Sequence, residues 1–394
     1  MTDFAAAPSL PDEETTAMLR DSARRFAAQE LSPGRLRRLR VESPHFAPAT
    51  WAAMAGLGWT GLLVPVACGG SGLGLAGMVA VLEEVGRPLL PEPLVPCAVL
   101  AATALRHGDN PVLQHRLLSG LADGSLLPAL AWQEGPTFYA APAMATRASR
   151  QPGGWVLDGT KRFIRPGAGA TGWLVVADSG DGLLLCWLPA GQAGVRHTAE
   201  PLTDGGASGR LWLEGVLVPD EHVLASPGTG QAALDAAIDT ALVATGAELL
   251  GGMRGAMALA LDHLRTRRQF GRPIGSFQAL QHQAVDMLLQ QELSAALVAE
   301  AGQCFDSLPS ACARAVLASR VKARTAVAAL QIAKGAVHMH GAMGYTDECD
   351  VGLYLKRALS LAAWLGTAAE HRSRHAALQP VLADTRDALA GATT

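Results

Sequence analysis

The chain has 394 residues, of which 49% are apolar and 17% charged, so it has a globular composition and is long enough for two or three domains. A formal net charge of -3 at pH 7 excludes a generally basic nucleic-acid-binding protein, because counterion release needs a dense cationic surface. The acidic first residues lack the apolar stretch of a secretory signal, and no run approaches about 18 apolar residues, so we predict no membrane span. Six scattered cysteines without a CxxC pair favour a reducing, cytoplasmic location.

Helical periodicity predicts an N-terminal helical domain over residues 1–128. The segments with apolar residues at helical spacing are residues 18–30, 51–57, 77–85 and 112–121. Glycine and proline clusters at residues 65–74 and 88–96 interrupt the pattern. The first cluster contains a GxGxxG pattern that begins at Gly72, but Pro65 lies in the only candidate strand before it. We therefore expect a glycine-rich turn between helices and not a dinucleotide-binding site.

Short β-prone runs separated by turn residues predict a central antiparallel, barrel-like β domain over residues 129–227. Asp158-Gly159 stands between two such runs and is a strong hairpin signal. Glu214-Gly215 stands between two more runs. A further Gly/Asp turn separates residues 173–177 from residues 183–188. We expect a tight turn at each of these three positions.

The remaining chain predicts a C-terminal four-helix bundle over residues 228–394, which makes the whole an α+β multidomain protein. Apolar residues recur at steps of four or seven along one long helix: Leu234, Ile238, Leu242, Leu249, Met253, Met257 and Leu261. The same helix contains Gly246, Gly251, Gly252 and Gly255. Each glycine costs up to about 1 kcal/mol in helix propensity, so we expect close packing to compensate. Later helices should begin near Phe277, Ala311 and Leu353.

Two polar features of the bundle are candidate binding sites. His338 and His340 lie two residues apart on a predicted helix and therefore point to different sides, and no Cys or Asp stands at ligand spacing. We predict no metal site. An arginine-rich run, residues 265–271, ends the long helix and includes Phe270. Such a run either complements the helix dipole in solvent or binds a phosphate-bearing ligand, and composition alone favours the solvated helix end.

Two longer motifs resemble the acyl-CoA dehydrogenase family. Residues 267–282, RRQFGRPIGSFQALQH, are followed by Asp286-Met287 and resemble one signature of that family. Residues 340–346, HGAMGYT, are followed by YLKRA at 354–358 and resemble the other. Three shorter segments resemble the family more weakly and extend the resemblance over nearly the whole chain: LGW at 57–59, EEVG at 83–86 and GTKRF at 159–163. The family's order of helical domain, β domain and four-helix bundle agrees with the regions predicted above.

The resemblance implies an FAD cofactor bound between subunits. It assigns Arg267 to the flavin pyrophosphate of a neighbouring subunit, and Phe270 and Gln278 to the ADP portion. The segment that would receive the adenine end contains His338, Gly341 and Ala342. The family usually has Gln in place of His338 and Gly in place of Ala342, which weakens the expected adenine contacts.

On the isoalloxazine side, the resemblance implies contacts from the β domain. The residues expected there are Trp132, Gln133, Phe163 and Arg165. The family has Thr-Glu-Pro and then Gly-Ser-Asp on this side. This chain has Gln133-Glu134-Gly135 and then PTFY at 136–139, so we expect a rebuilt wall of the flavin and acyl pocket.

The catalytic base is missing at both positions where the family places it. Its members remove the α-proton of an acyl thioester with a Glu while a hydride passes from the β-carbon to flavin N5. In most members that Glu precedes Gly-Thr, where this chain has Leu365, and in others it lies on the long bundle helix, where this chain has Ala241. Glu248 lies on the same helix face as Ala241 but about 10 Å further along the axis. We expect Glu248 to be structural and keep it as an alternative base.

These observations predict an FAD-dependent oxidoreductase of the acyl-CoA dehydrogenase type, active in lipid metabolism on a bulky or unusual thioester of CoA or an acyl carrier. We expect a dimer or tetramer that passes electrons to an electron-transfer flavoprotein or a similar acceptor. The favoured form is a heteromer whose other subunit supplies the Glu. Three alternatives stay open: a homo-oligomer with Glu248 as base, a non-catalytic partner that completes another chain's FAD site, and a related flavin monooxygenase.

Overall fold

The chain folds into two compact units, each assembled from several segments. The computed structural model describes residue 4, residues 8–136 and residues 144–391, with side chains to residue 381. Unit 1 comprises Met1–Asp12, Arg35–Met78 and Pro91–Ala241, and unit 2 comprises Glu13–Gly34, Val79–Leu90 and Leu242–Thr394. The predicted boundaries after residues 128 and 227 stay predictions.

The N-terminal part of the chain is helical, as predicted. Its helices are α1 (Glu13–Glu30), α2 (Pro33–Leu39), α3 (Pro48–Gly56), α4 (Gly74–Gly86), a π-helix (Leu94–Ala101), α5 (Ala102–Arg106) and α6 (Pro111–Ala122). The π-helix begins within the 88–96 cluster, which was expected only to interrupt helices. Pro96 is tolerated there because the N–H groups of a helix's first turn have no partner within the helix.

The GxGxxG segment is a turn that leads into α4, as predicted. Gly72 and Gly74 have φ values of 64° and 65°, a left-handed conformation that glycine adopts without steric cost. In the part of the chain described before Pro128 the structure has no strand. The strand–turn–helix arrangement of a dinucleotide-binding fold is therefore not formed at Gly72.

A mixed sheet forms the β region. Its strands are β1 (Pro128–Ala131), β2 (Arg147–Gln151), β3 (Gly154–Ile164), β4 (Gly172–Asp178), β5 (Leu183–Pro189), β6 (Val195–Pro201), β7 (Ala207–Pro219) and β8 (Val223–Ala225). They pair in the order β6-β7-β3-β2-β4-β5-β8, with β1 beside β4. Most pairs are antiparallel as predicted, but β4 pairs in parallel with β1 and with the end of β2. The long connection from β1 to β4 permits a parallel pairing that a tight turn forbids.

Two of the three predicted turns are wrong. Asp158-Gly159 lies inside β3 and Glu214-Gly215 lies inside β7, and both strands continue through these positions. The two strands pair with each other with a register shift between Leu157 and Gly159, and the Gly215 N–H donates to Asp158 Oδ1 at 2.8 Å. Residues that suit a turn also suit such an irregularity in a long ladder. The turn between β4 and β5 is confirmed.

The C-terminal helical bundle is confirmed. Its elements are α7 (Gly230–Thr266), the two-residue strands β9 (Arg268–Gln269) and β10 (Arg272–Pro273), α8 (Gln278–Cys304), α9 (Ala311–His340), α10 (Val351–Ala363) and α11 (Ala368–Gly391). Helices α8, α10 and α11 all pack against α9. Within the described ranges, no helix has both the length and the apolar character needed to cross a membrane.

Glycines allow close packing along α7. A Cβ added at Gly246 would lie 2.5 Å from Val321 on α9, and one at Gly255 would lie 2.4 Å from the Tyr354 ring on α10. At Gly251 it would lie 2.5 Å from the Glu83 carbonyl oxygen. Gly252 is different, because its nearest neighbour would be Leu89 Cδ2 at 3.9 Å. The expected close packing therefore applies to three of the four glycines.

We expect Gly251→Ala to lower the free energy of unfolding by about 1–3 kcal/mol, because the new methyl group must displace backbone atoms. Gly252→Ala is the matched control at the next position. There the gain in helix propensity, up to about 1 kcal/mol, should leave stability unchanged or higher. Chemical denaturation measures both variants, and equal stabilities would contradict close packing at Gly251.

Candidate active site

The cationic end of α7 is an exposed hairpin. Strands β9 and β10 turn at Phe270 and Gly271, whose φ values are 53° and 78°. Phe270 is 88% exposed, and its ring meets Phe277 edge-on with 6.0 Å between centroids. Arg267 is exposed, and the described residues include no carboxylate in an ion pair with it. A guanidinium without an internal anion is available to bind an external one.

The last turn of α9 lies beside the cationic hairpin. The His263 and His340 rings stack with 4.3 Å between centroids, and the Arg267 N–H donates to the His263 carbonyl oxygen at 2.9 Å. Burial and the neighbouring charges of His340 and Arg267 lower the pKa of His263. Three of the predicted residues are exposed at this end of α9: His338, Gly341 and Ala342. The structure therefore brings Arg267 and the end of α9 to one end of unit 2. Exposed Gln278 begins α8.

The residues predicted on the isoalloxazine side all lie in unit 1 and are half-buried: Trp132, Gln133, Phe163 and Arg165. The Arg162 N–H donates to the Gln133 carbonyl oxygen at 2.8 Å. The Arg162 guanidinium also lies 5.1 Å from the centroid of the Phe163 ring. These contacts hold Gln133 close to Phe163. Residues 137–139 of the PTFY segment lie outside the described residues.

Both positions expected for the base hold apolar, buried residues. Ala241 is fully buried on α7, and Leu365 is 2% exposed in the connection between α10 and α11. Leu365 has a φ of 58°, followed by 94° at Gly366. This left-handed conformation is uncommon outside glycine and Asn, and it persists where the surroundings determine it.

Lys322 holds the connection in place from inside the bundle. It has no exposed surface, and its ammonium donates to the carbonyl oxygens of Leu361, Ala362 and Gly366 at 3.0, 3.0 and 2.8 Å. The last carbonyls of a helix lack partners within that helix. Lys322 therefore supplies hydrogen bonds to the end of α10 and to the residue that follows Leu365.

His371 fixes the Leu365 carbonyl from the other side. Its Nε2 lies 2.7 Å from that oxygen, so this nitrogen carries the proton. Burial lowers the pKa of His371 to about 4, and the charges of Lys322 and Arg374 add to the effect, although the Leu365 hydrogen bond and Glu370 act in the opposite direction. The ring is neutral at pH 7 and acts as a hydrogen-bond donor within the loop.

Glu248 is held in a buried ion pair. Arg357 on α10 donates from Nε and Nη2 to Glu248 Oε1 at 3.0 and 2.6 Å. The two side chains are 10% and 19% exposed. Arg357 Nη2 also donates to the Leu90 carbonyl oxygen at 2.8 Å. Glu248 Oε1 is therefore engaged by a guanidinium that also fixes the end of the segment before Pro91.

Comparison with known proteins agrees with this architecture. The family model described as "Acyl-CoA dehydrogenase, N-terminal domain" matches residues 13–125, and "Acyl-CoA dehydrogenase, C-terminal domain" matches residues 228–377. The cyclohex-1-ene-1-carbonyl-CoA dehydrogenase of Geobacter metallireducens is 30% identical over 362 residues, which cover 88% of this chain and 93% of that protein. The chain belongs to the acyl-CoA dehydrogenase family. Members of this family are FAD-dependent oxidoreductases that act on the CH–CH group of acyl-CoA.

Solved structures of acyl-CoA dehydrogenases share the fold over almost the whole chain. A variant of the Tcur3481-Tcur3483 steroid ACAD has a TM-score of 0.85 and 30% identity, and the match covers 94% of this chain and 99% of that one. A glutaryl-CoA dehydrogenase of Mycobacterium smegmatis, in complex with FADH2, has a TM-score of 0.83 and 19% identity, with 93% and 94% coverage. The second likeness concerns the fold alone.

The exposed end of unit 2 fits the diphosphate end of FAD. Arg267 offers a guanidinium to an outside anion, and a Cβ added at Gly271 or Gly341 would meet no atom within 4 Å. The backbone at both of these turns is therefore open. Across the described residues, no group of three or more His, Cys, Asp or Glu side chains could hold a metal ion.

Sequence reasoning assigned no role to the polar residues that hold these segments: Lys161, Lys322, Arg357 and His371. For Lys161 and Arg357 a signal was present, because they stand in the family-like segments GTKRF at 159–163 and YLKRA at 354–358. Lys322 and His371 gave no such signal. Both side chains bind carbonyl oxygens at or near the connection between α10 and α11. No pattern in the sequence predicts the backbone path of that connection.

Proposed function

We propose that this chain is the base-less subunit of a heteromeric acyl-CoA dehydrogenase that desaturates a bulky or unusual acyl thioester. The observation that carries the proposal is the pair of apolar residues, Leu365 and Ala241, at the two positions where the family has its Glu. An alkyl side chain cannot accept the α-proton. The partner subunit would supply the Glu, and an electron-transfer flavoprotein or a similar acceptor would reoxidise the flavin.

The state of Glu248 supports this proposal over a self-sufficient enzyme. A general base needs a carboxylate that can reach the α-carbon and take a proton. Glu248 Oε1 instead accepts both hydrogen bonds from Arg357. Use of Glu248 as base would therefore compete with a contact that Arg357 already makes to the same carboxylate.

The names of relatives also support a two-subunit enzyme. The steroid ACAD that resembles this chain at 30% identity has a two-part name, Tcur3481-Tcur3483. Its name also contains a bulky acyl class, a steroid. We take the two-part name as support for a heteromer, and the steroid as support for a large acyl group in the substrate of this chain. Steroid acyl thioesters are therefore the first substrates to test.

The residues of this chain would bind and orient the cofactor and leave proton removal to the partner. FAD, when bound, would supply the acceptor for the hydride that leaves the β-carbon of the thioester. Arg267 would neutralise part of the diphosphate charge on the flavin of a neighbouring subunit, with Phe270 and Gln278 at the ADP portion. The end of α9, with His338, would receive the adenine. Trp132, Gln133, Phe163 and Arg165 would border the isoalloxazine and exclude water from it.

We expect Arg267→Ala to weaken FAD binding by about ten- to a hundred-fold, because a hydrogen bond to a charged group is worth about 1.5–3 kcal/mol. Arg265→Ala removes an exposed arginine of the same helix end, with no assigned contact, and serves as the matched control. Flavin fluorescence titration of the apoprotein gives both dissociation constants. Equal affinities in the two variants would remove Arg267 from the site.

We expect the isolated chain not to bleach its flavin anaerobically with any acyl-CoA, including a steroid thioester, because general-base catalysis contributes about 10²–10⁴-fold. Bleaching should appear when the partner subunit is added. Leu365→Glu should give the isolated chain partial activity, whereas the uncharged Leu365→Gln should not. Rapid bleaching by the unmodified chain alone, abolished by Glu248→Gln, would overturn the heteromer and favour the relocated base.

A further inference from the structure

A buried lysine on β3 is paired with the glutamate of the rebuilt flavin-side motif. Lys161 has no exposed surface, and its ammonium donates to Glu134 Oε1 at 2.6 Å. It also donates to the Trp132 carbonyl oxygen at 3.3 Å. Both acceptors belong to residues 132–135, which contain two of the four residues expected beside the isoalloxazine.

Glu134 connects this segment to the start of β2. Its Oε2 accepts from the Ala145 N–H at 2.7 Å, and its Oε1 accepts from the Thr146 N–H at 2.9 Å. Thr146 in turn packs on β3, because a Cβ at Gly159 would lie 2.5 Å from its Oγ1. The absence of a side chain at Gly159 therefore makes room for Thr146. Lys161 follows Gly159 on the same inward register.

A second contact ties the segment to β3 through the backbone. The Arg162 N–H donates to the Gln133 carbonyl oxygen at 2.8 Å, and Gln133 Nε2 donates to the Gly135 carbonyl oxygen at 2.9 Å. The carbonyl groups of Trp132 and Gln133 are thus bound by consecutive residues of one strand. This arrangement fixes the backbone of 132–133 relative to Phe163.

The Lys161 ammonium and the Glu134 carboxylate form an ion pair at neutral pH. Burial favours neutral Glu134, but the Lys161 charge and the hydrogen bonds outweigh it and lower the pKa of Glu134 to about 2. Burial lowers the pKa of Lys161 to about 8, against the opposing effect of Glu134. Both groups are therefore charged at pH 7. A buried ion pair is an inefficient way to gain stability, since apolar residues of similar size often do as well.

We propose that Lys161 and Glu134 are positioning residues, which hold Trp132 and Gln133 in the geometry that receives the isoalloxazine ring. The inference deepens the proposed function and rests on its assignment of Trp132 and Gln133 to the flavin. It predicts that the pair affects binding of the isoalloxazine half of FAD and leaves the ADP half unaffected.

The test uses the full-length protein in its native assembly, stripped of flavin, with FAD and ADP as probes. Lys161→Met keeps the length of the side chain and removes the charge, but it strands Glu134. The double variant Lys161→Met with Glu134→Gln leaves no stranded charge and should recover the melting temperature. We expect both to bind FAD about tenfold to a hundred-fold more weakly than the parent, the loss typical of a hydrogen bond to a charged group, and to bind ADP unchanged. The visible circular dichroism of residual bound flavin should also change.

The matched control is the exposed Arg150–Asp220 pair on the same sheet. Arg150→Met with Asp220→Asn should leave FAD and ADP binding at the parent values.

Recovery of FAD affinity together with melting temperature in the Lys161/Glu134 double variant would show a purely structural pair and overturn the inference. Equal loss of FAD and ADP would also overturn it. If the parent binds ADP but no FAD, the proposed function fails and the inference with it. If the parent binds FAD and the variants bind it equally well, the inference alone fails.

Discussion

The ion pair between Arg357 and Glu248 is the interaction on which the functional account depends. It joins α10 to α7, and the same guanidinium also binds the Leu90 carbonyl oxygen. A carboxylate on the bundle helix is the obvious substitute for a lost catalytic base. This carboxylate is buried and already accepts two hydrogen bonds from one cation. Use of Glu248 as a base would therefore disturb the contact that joins α10 to α7.

The connection between α10 and α11, where the resemblance places the base, is held by polar groups on both sides of Leu365. Lys322 satisfies the carbonyls at the end of α10 and that of Gly366, and His371 fixes the carbonyl of Leu365. Leu365 therefore occupies a left-handed backbone position that its surroundings determine. In the proposed heteromer, the Glu is absent from a connection whose backbone carbonyls these polar groups still bind. That combination is what a subunit needs if it still builds the cofactor site while another chain removes the proton.

Periodicity predicted the helices well, because a helix such as α7 shows its buried face within its own sequence. The glycines of α7 were also interpretable, since their helix-propensity cost required a packing reason. Local turn signals did less well. Asp158-Gly159 and Glu214-Gly215 belong to long strands, because pairing of β3 with β7 outweighs the local turn preference. In the candidate site, too, some residues could be predicted from the sequence and others could not. Arg267 and the end of α9 followed from motifs, whereas Lys322 and His371 bind carbonyl groups whose positions only the folded backbone defines.

The central claim, that this chain cannot remove the α-proton by itself, is tested most directly by hydrogen exchange at the α-carbon. The FAD-loaded chain is incubated in D2O with an acyl-CoA that cannot be dehydrogenated, and deuterium at the α-carbon is followed by mass spectrometry. The account predicts no exchange above the rate in buffer for the isolated chain and clear exchange once the partner subunit is present. Exchange catalysed by the isolated chain and lost in Glu248→Gln would contradict it.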